Sequence, residues 1–186
     1  MLEWLPAWFR IFFLSMIPWL ESRYVIPFAI TPTDLGGLGW EWWQAFPIAV
    51  IGNMLPIPFI LLFFPYVEKW LRNFKSWSRL MDWFFAKTRK RADAKIRRYE
   101  HLGLLVFVAI PLPFTGAWTG ALIAYLFNLK FGRSLITIFV GVLIAAGIMT
   151  VVSLTGINPS YIVAGIFIAA VSMGLIIFIS NPSKNK

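Results

Sequence analysis

The sequence predicts an all-α integral membrane protein, and three observations carry that prediction. Of the 186 residues, 59% are hydrophobic and 13% are charged, with a mean hydropathy of +0.74, whereas soluble domains contain roughly a quarter charged residues. Three long runs, 45–67, 102–129 and 134–183, contain no charged residue. An uncharged apolar run of about 18 residues or more is a candidate membrane span. We therefore expect a single membrane domain over residues 1–186.

The composition argues against several classes of function. There is no cysteine, which excludes disulfides and cysteine ligands. No HExxH, GxSxG or P-loop pattern and no cluster of histidines and carboxylates is present, so we expect neither an enzyme nor a metal or cofactor. The N-terminus carries Glu3 rather than a basic region, so no cleavable signal peptide is expected. The single histidine, His101, is expected to be a solvated surface residue.

Residues 8–30 form the first predicted element, which is apolar but interrupted by Pro18, Glu21, Arg23 and Pro27. A charged residue at mid-membrane costs about 3 kcal/mol and persists where it is paired or faces a polar cavity. Prolines break helical hydrogen bonding, and broken backbone at membrane depth must be shielded by protein. These residues favour a re-entrant hairpin of two short helices, and they leave a kinked span open as the alternative.

Residues 45–67 are the first predicted transmembrane helix, which follows a tryptophan-rich interfacial connection. This helix contains Asn53, Pro56 and Pro58, and we expect the prolines to kink it. Asn53 has two interpretations. It either hydrogen-bonds a substrate or serves as a polar contact between helices.

Residues 68–100 form a basic segment with eleven Lys and Arg against four acids. Its first half is amphipathic, which predicts a helix lying in the membrane interface. The positive-inside rule places the segment in the cytoplasm. Because the net charge of +9 concentrates here between membrane runs, we expect anionic lipid rather than nucleic acid as the partner. The residues expected to meet lipid headgroups are Arg72, Lys75, Arg79, Arg89, Lys90, Arg91, Arg97 and Arg98.

Residues 102–129 form the second predicted re-entrant hairpin. A helix of this length would extend about 42 Å, beyond the roughly 30 Å hydrocarbon core. The centre, from Pro111 to Gly120, reads as a poor helix, and each flank of about nine residues reaches halfway across the bilayer. Across both hairpins and the kinked helix, the shaping residues are Pro18, Pro27, Pro56, Pro58, Pro111, Pro113, Gly116 and Gly120.

Two further transmembrane helices are predicted over residues 134–154 and 160–180. Small residues four apart, such as Gly141 and Ala145, supply faces for close helix packing. The predicted architecture is thus an inverted repeat of hairpin plus transmembrane helix, with an extra C-terminal transmembrane helix and a cytoplasmic C-terminus. Inverted repeats with broken helices are a recurring plan of transporters.

Three motifs carry a resemblance to a known family: Glu21-Ser-Arg23-Tyr-Val-Ile-Pro27, Gly52-Asn53 with the two prolines after it, and Ile110 to Gly120. With these motifs the chain resembles the small multidrug export proteins of bacteria and archaea over roughly residues 8–152. The resemblance implies an export function in a bacterial or archaeal cell membrane. It also implies a distant similarity to the DedA/VTT membrane proteins, some of which are implicated in lipid movement. Those proteins tend to carry an arginine in the second hairpin, whereas residues 102–129 are uncharged, so phosphate binding is not carried over.

The leading functional hypothesis is an ion- or proton-coupled transporter that exports or flips a small amphiphilic or lipid-like substrate, including an anionic one. Glu21 would carry the coupling proton, Arg23 an anionic group, and the second hairpin tip would offer N–H groups to an anion. A structural ion pair and hydroxyl caps are the alternatives at these positions. A lipid scramblase or lipid-organising protein and a non-transporting assembly partner are the alternative functions, and homo-oligomer formation is left open. The candidate binding residues are Glu21, Arg23, Asn53, Thr115, Trp118 and Thr119.

Overall fold

The computed structural model describes residues 5–71, 99–112, 115–156 and 168. Over these residues the chain is helical and contains no strand, which confirms the all-α class. A single 3-10 turn, Thr33–Leu35, follows the second helix. The helices are α1 (Ala7–Met16), α2 (Glu21–Ile30), α3 (Trp42–Met54), α4 (Pro56–Leu71), α5 (Glu100–Ala109), α6 (Ala117–Leu126) and α7 (Phe131–Leu154).

Among the described residues, two helical runs are long and apolar enough to cross a membrane. The first is Trp42–Trp70, with 29 residues, and the second is Phe131–Leu154, with 24 residues. At 1.5 Å per residue the shorter of them extends about 36 Å, more than the roughly 30 Å hydrocarbon core. The first run joins α3 to α4 through Leu55, whose backbone stays α-helical (φ −58°, ψ −44°). Helices α1, α2, α5 and α6 are shorter and have ten residues each.

The prolines disturb the helices less than the sequence predicts. Pro27 lies inside α2, which continues to Ile30, so the expectation that it breaks the helix is wrong. A proline removes one N–H donor, and α2 nevertheless packs against both α3 and α7. Pro56 and Pro58 lie in the first turn of α4, directly after the boundary with α3 at Leu55, and proline is tolerated in the first turn of a helix. Pro18 lies in the turn between α1 and α2.

The short helices pack on the long ones in the same way in both halves of the chain. Helix α1 packs on α3 and α5 packs on α7, while α2 and α6 each contact both long runs. Glycines permit the closest approaches: a Cβ on Gly52 would overlap the carbonyl oxygen of Phe12. A Cβ on Gly141 would lie 2.8 Å from Val108 and 3.3 Å from the carbonyl oxygen of Leu105. Small residues therefore set the helix spacing, as is common between membrane helices.

The core contains side chains from all seven helices, and alanine is frequent in it. Gly141 and Ala145, predicted as a close-packing face, are both buried in α7. The eight predicted headgroup cations in residues 72–98 lie outside the described residues, as does Pro113. The predicted span 160–180 also lies outside them, except for Ile168, which is helical.

Candidate functional site

Four helix ends meet at one place in the fold. The turn between α1 and α2 faces the connection between α5 and α6, and side chains cross from each to the other. We call this place the junction. It is formed by residues 16–23 together with residues 108–112 and 115–118. Each contributing helix end leaves backbone groups without intrahelical partners, so the junction must supply partners from outside each helix.

Arg23 supplies the partners for the carbonyl end of α5. The side chain is 4% exposed. Nη1 donates to the carbonyl oxygens of Ile110 (3.1 Å) and Leu112 (2.8 Å) and to the Thr115 hydroxyl (2.8 Å). Nη2 donates to the carbonyl oxygens of Val108 (2.7 Å) and Thr115 (3.0 Å). A cation therefore lies at the negative end of the α5 dipole, where it is most stabilising.

Glu21 supplies the partners for the amide end of α6. Its residue is 5% exposed, and its carboxylate accepts hydrogen bonds from the backbone N–H groups of Ala117 and Trp118. These are the first two residues of α6, where the helix dipole favours an anion. Arg23 Nε lies 3.7 Å from Glu21 Oε2. The ion pair thus divides between two helix ends, the cation at the carbonyl end and the acid at the amide end.

The backbone at Glu21 is in an unusual conformation. Its φ of 45° lies in the left-handed region, which a non-glycine residue occupies at a cost of about 1–3 kcal/mol. The Glu21 N–H donates to the carbonyl oxygen of Ile17 (3.0 Å), which closes the turn after α1. Strained residues of this kind cluster at functional sites.

Gly116 makes room for the acid. A Cβ at Gly116 would overlap both carboxylate oxygens of Glu21. Gly116 is the N-cap of α6 and has a φ of −77°, so its backbone does not require the conformational freedom of glycine. Its function is to leave space that any side chain would fill.

Thr115 closes the connection after α5. Its hydroxyl lies 2.9 Å from the carbonyl oxygens of both Ile110 and Leu112 and accepts a hydrogen bond from Arg23. This supports the capping interpretation of Thr115, although the cap is at the carbonyl end of α5 rather than at the start of α6.

Trp118, Thr119 and Gly120 lie inside α6, so the prediction that the poorly helical centre extends to Gly120 is wrong. The helix begins at Ala117 because Glu21 satisfies its first amides, a tertiary contact that the local sequence does not encode. The indole Nε1 of Trp118 donates to the carbonyl oxygen of Met16 (3.2 Å), which is the last residue of α1. Gly120 allows the side chain of Val108 to approach, since a Cβ there would lie 2.6 Å from Val108 Cγ2.

Asn53 lies beside the junction rather than within it. Its side chain is 1% exposed, and Nδ2 donates to the Ser22 hydroxyl of α2 (3.1 Å). Within the described part of the chain, Asn53 Oδ1 has no hydrogen-bond partner. The contact between Asn53 and Ser22 fits the structural interpretation, in which a polar side chain joins two helices.

Two features were not predicted from the sequence. A cavity of about 470 Å³ lies between α4 and α6, and we call it the α4–α6 groove. Beyond one end of it, the Tyr125 hydroxyl donates to Glu68, which is buried. These two residues are 57 positions apart, so no local pattern pairs them. The groove is lined by Phe59, Ile60, Phe63, Phe64, Val67, Trp118, Thr119 and Leu122.

His101 is half-buried at the start of α5. Its Nδ1 lies 3.5 Å from the Thr137 hydroxyl of α7. Within the described ranges, no three His, Cys, Asp or Glu side chains are placed to hold a metal ion.

The part of the chain that the structure describes is all-helical, with two candidate membrane-spanning helices and a charged pair buried where short helices end. The chain belongs to the family described as "Putative small multi-drug export protein", whose model matches residues 21–148. This confirms the family resemblance, and the matched range begins at Glu21. No curated protein and no solved structure matches the sequence. The distant similarity to DedA/VTT proteins stays a prediction.

Proposed function

We propose that this protein is a proton-coupled membrane transporter of small amphiphilic molecules and that Glu21 carries the coupling proton. The family description supports export, and the family together with the two apolar helices supports a membrane location. The observation that carries the proton role is the burial of Glu21 and Arg23 at the junction. Ionisable residues inside a membrane protein usually mark an ion or substrate pathway.

We further propose that each pair of short helices is a re-entrant hairpin and that the two halves are inverted repeats. A ten-residue helix rises about 15 Å, half the hydrocarbon core. Each half has two short helices followed by a long run. The close contacts also correspond, since Gly52 approaches the carbonyl of Phe12 and Gly141 approaches that of Leu105. Both carbonyls belong to the sixth residue of their short helix.

We propose that protonation of Glu21 is coupled to separation of the two hairpins, because it removes the negative charge that holds them together. Ionised Glu21 attracts the N-terminus of α6 and the guanidinium of Arg23. A protonated Glu21 loses its charge, so both attractions weaken and the two hairpins are free to separate. Both terminal nitrogens of Arg23 are engaged by protein oxygens, which favours a locking role for Arg23 over direct binding of an anionic substrate.

The excess of Lys and Arg in residues 68–100 supports a cytoplasmic location for that segment. The two proposed crossings after it, 134–154 and 160–180, then return the C-terminus to the cytoplasm. This topology opens the second hairpin to the cytoplasm and the first to the other side. Alternating access would then expose the junction to each side in turn.

Transport by purified protein in liposomes tests the proposal. A panel of amphiphiles is added outside, a pH gradient is imposed, and the lumen content is measured by mass spectrometry. We expect gradient-dependent accumulation of at least one compound. Glutamine has nearly the same side-chain volume as glutamate. In liposomes that contain the Glu21→Gln variant, we expect the same compound to move without dependence on the pH gradient. Unchanged gradient dependence in this variant would refute the proton role.

The α4–α6 groove favours lipid scrambling as a second candidate function, because its lining is apolar and lies on a candidate membrane-spanning run. A scramblase needs no ion gradient, so equal transbilayer movement of a fluorescent phospholipid with the gradient collapsed would favour this function. If the reconstituted protein moves neither amphiphiles nor lipids and copurifies with another membrane protein, an assembly role is favoured instead.

A further inference from the structure

Tyr125 and Glu68 join the two halves of the chain. Tyr125 is the next-to-last residue of α6, and Glu68 lies in the last turn of α4. The Tyr125 hydroxyl donates a hydrogen bond to the carboxylate of Glu68, which is buried. The Tyr125 ring also packs against Phe64, one turn earlier on α4, with 4.8 Å between the ring centroids. These two contacts hold the end of the second short-helix pair against the long run of the first half.

The α4–α6 groove begins directly beside this contact. Its lining residues lie at positions 59–67 of α4 and 118–122 of α6, so on both helices the contact follows the groove toward the C-terminal end. Atoms that line a cavity have no partner atoms on that side. The groove of about 470 Å³ therefore contributes little to holding α6 against α4, and the contacts at its two ends contribute more.

The other end of the groove reaches the junction through Trp118. The side chain of Trp118 lines the groove, its Nε1 donates to the Met16 carbonyl oxygen, and its backbone N–H donates to Glu21. Trp118 and Tyr125 are seven residues apart on α6, which corresponds to about 10 Å along the helix. Because α6 is held at its first turn by the junction and at its last turn by Glu68, loss of the second contact alone frees only the Tyr125 end. The groove then opens at that end.

We propose that the hydrogen bond between Tyr125 and Glu68 is the cytoplasmic gate of the transport pathway. In the proposed topology the second hairpin opens to the cytoplasm, so this contact lies between the cytoplasm and the groove. The intact hydrogen bond keeps cytoplasmic water and substrate out of the groove, and its loss admits both. This inference rests on the proposed function and deepens it, because it assigns the residues that control access to the junction from one side.

Sided labelling of a cysteine in the groove tests the gate. Thr119→Cys places a single thiol in the groove lining of a chain that has no other cysteine. Its rate of reaction with a membrane-impermeant maleimide is measured in vesicles of each orientation, with and without Tyr125→Phe. Phenylalanine keeps the ring that packs on Phe64 and removes only the hydroxyl. We expect labelling from the cytoplasmic side to be at least about tenfold faster with Tyr125→Phe, because a hydrogen bond to a charged group shifts an equilibrium by about that factor or more.

The side from which labelling increases separates a gate from a general loss of structure. We expect the rate from the opposite side to stay unchanged, whereas a loosened or misfolded protein reacts faster from both sides. Tyr66→Phe is the matched control, because it removes the same hydroxyl from a tyrosine that is exposed on α4, and it should change neither rate. An unchanged cytoplasmic rate with Tyr125→Phe, or an equal increase from both sides, would overturn the proposal.

Substitutions of Glu68 test the other partner of the hydrogen bond. Glu68→Leu removes the acceptor, so we expect faster cytoplasmic labelling, whereas Glu68→Gln keeps an oxygen acceptor and should increase the rate by less. Combining Glu68→Leu with Tyr125→Phe should label no faster than Glu68→Leu alone, because both changes remove the same hydrogen bond. A rate increase equal to the product of the two separate increases would contradict the gate.

The labelling assay and the transport assay can fail independently. Labelling uses neither a pH gradient nor a transported compound, so absence of the sided increase rejects the gate alone. Unchanged gradient dependence of transport in Glu21→Gln liposomes rejects the proton role and leaves the sided increase as evidence for the gate.

Discussion

Replacing Arg23 with methionine tests whether one guanidinium holds the junction together. Methionine keeps an unbranched but shorter side chain and removes every N–H donor. The five contacts from Arg23 to protein oxygens, of 2.7 to 3.1 Å, are lost. The buried carboxylate of Glu21 also loses its cationic partner.

The size of the effect follows from the burial of both partners. Arg23 and Glu21 are 4% and 5% exposed, so solvent screens their interaction weakly. Removing one partner of a buried ion pair costs about 3–5 kcal/mol, because the other charge is left uncompensated. We therefore expect Arg23→Met to lower the free energy of unfolding by about 3–5 kcal/mol. Arg23→Lys should recover only part of this, because one ammonium cannot reach all of these oxygens.

The measurement is unfolding in mixed micelles, followed by circular dichroism as the fraction of denaturing detergent rises. Adding Glu21→Gln to Arg23→Met completes a double-mutant cycle, and the double variant should lose less than the sum of the single losses. Arg133→Met is the matched control, since Arg133 is exposed at the start of α7 and should change stability by at most about 0.5 kcal/mol. If Arg23→Met costs no more than Arg133→Met, the guanidinium does not hold the junction.

Three glycine substitutions give further predictions in the same unfolding assay. Gly116→Ala should lower stability by about 1–3 kcal/mol, because the added methyl group overlaps the Glu21 carboxylate. Gly52→Ala should lower stability by a similar amount, because its methyl group overlaps the carbonyl of Phe12. Gly103→Ala should raise stability by about 0.5–1 kcal/mol, because it lies in α5 with open space around it. If Gly103→Ala lowers stability as much as Gly116→Ala and Gly52→Ala do, the contacts around each glycine do not determine the effect.

The class of the protein and its long helices could be predicted because they depend on local sequence. The charge-free run 45–67 lies within the observed Trp42–Trp70 run, and 134–154 lies within Phe131–Leu154. The turn between α1 and α2 could also be predicted, from Pro18 and the charged residues after it. The connection between α5 and α6 was placed too far toward the C-terminus, because Glu21 stabilises the first turn of α6 from a distant part of the chain.

The functional residues could be named from the sequence, but their partners could not. Glu21 and Arg23 stand out as charges in an apolar segment. The oxygens that bind Arg23 are mostly backbone carbonyls, and every residue has one, so no residue type marks them. Thr119 is a predicted binding residue together with Thr115 and Trp118, and the structure places it in the lining of the α4–α6 groove.

The most direct test of the account is whether the junction lies within the bilayer. The chain has no cysteine, so a cysteine introduced by Ile110→Cys is the single site that a maleimide can label. The Ile110 side chain is 38% exposed. In intact vesicles of either orientation we predict that this cysteine reacts with a membrane-impermeant maleimide far more slowly than Lys130→Cys, which is exposed just before α7 and reacts from one side. Reaction of Ile110→Cys as fast as Lys130→Cys would place the junction in water and contradict the account.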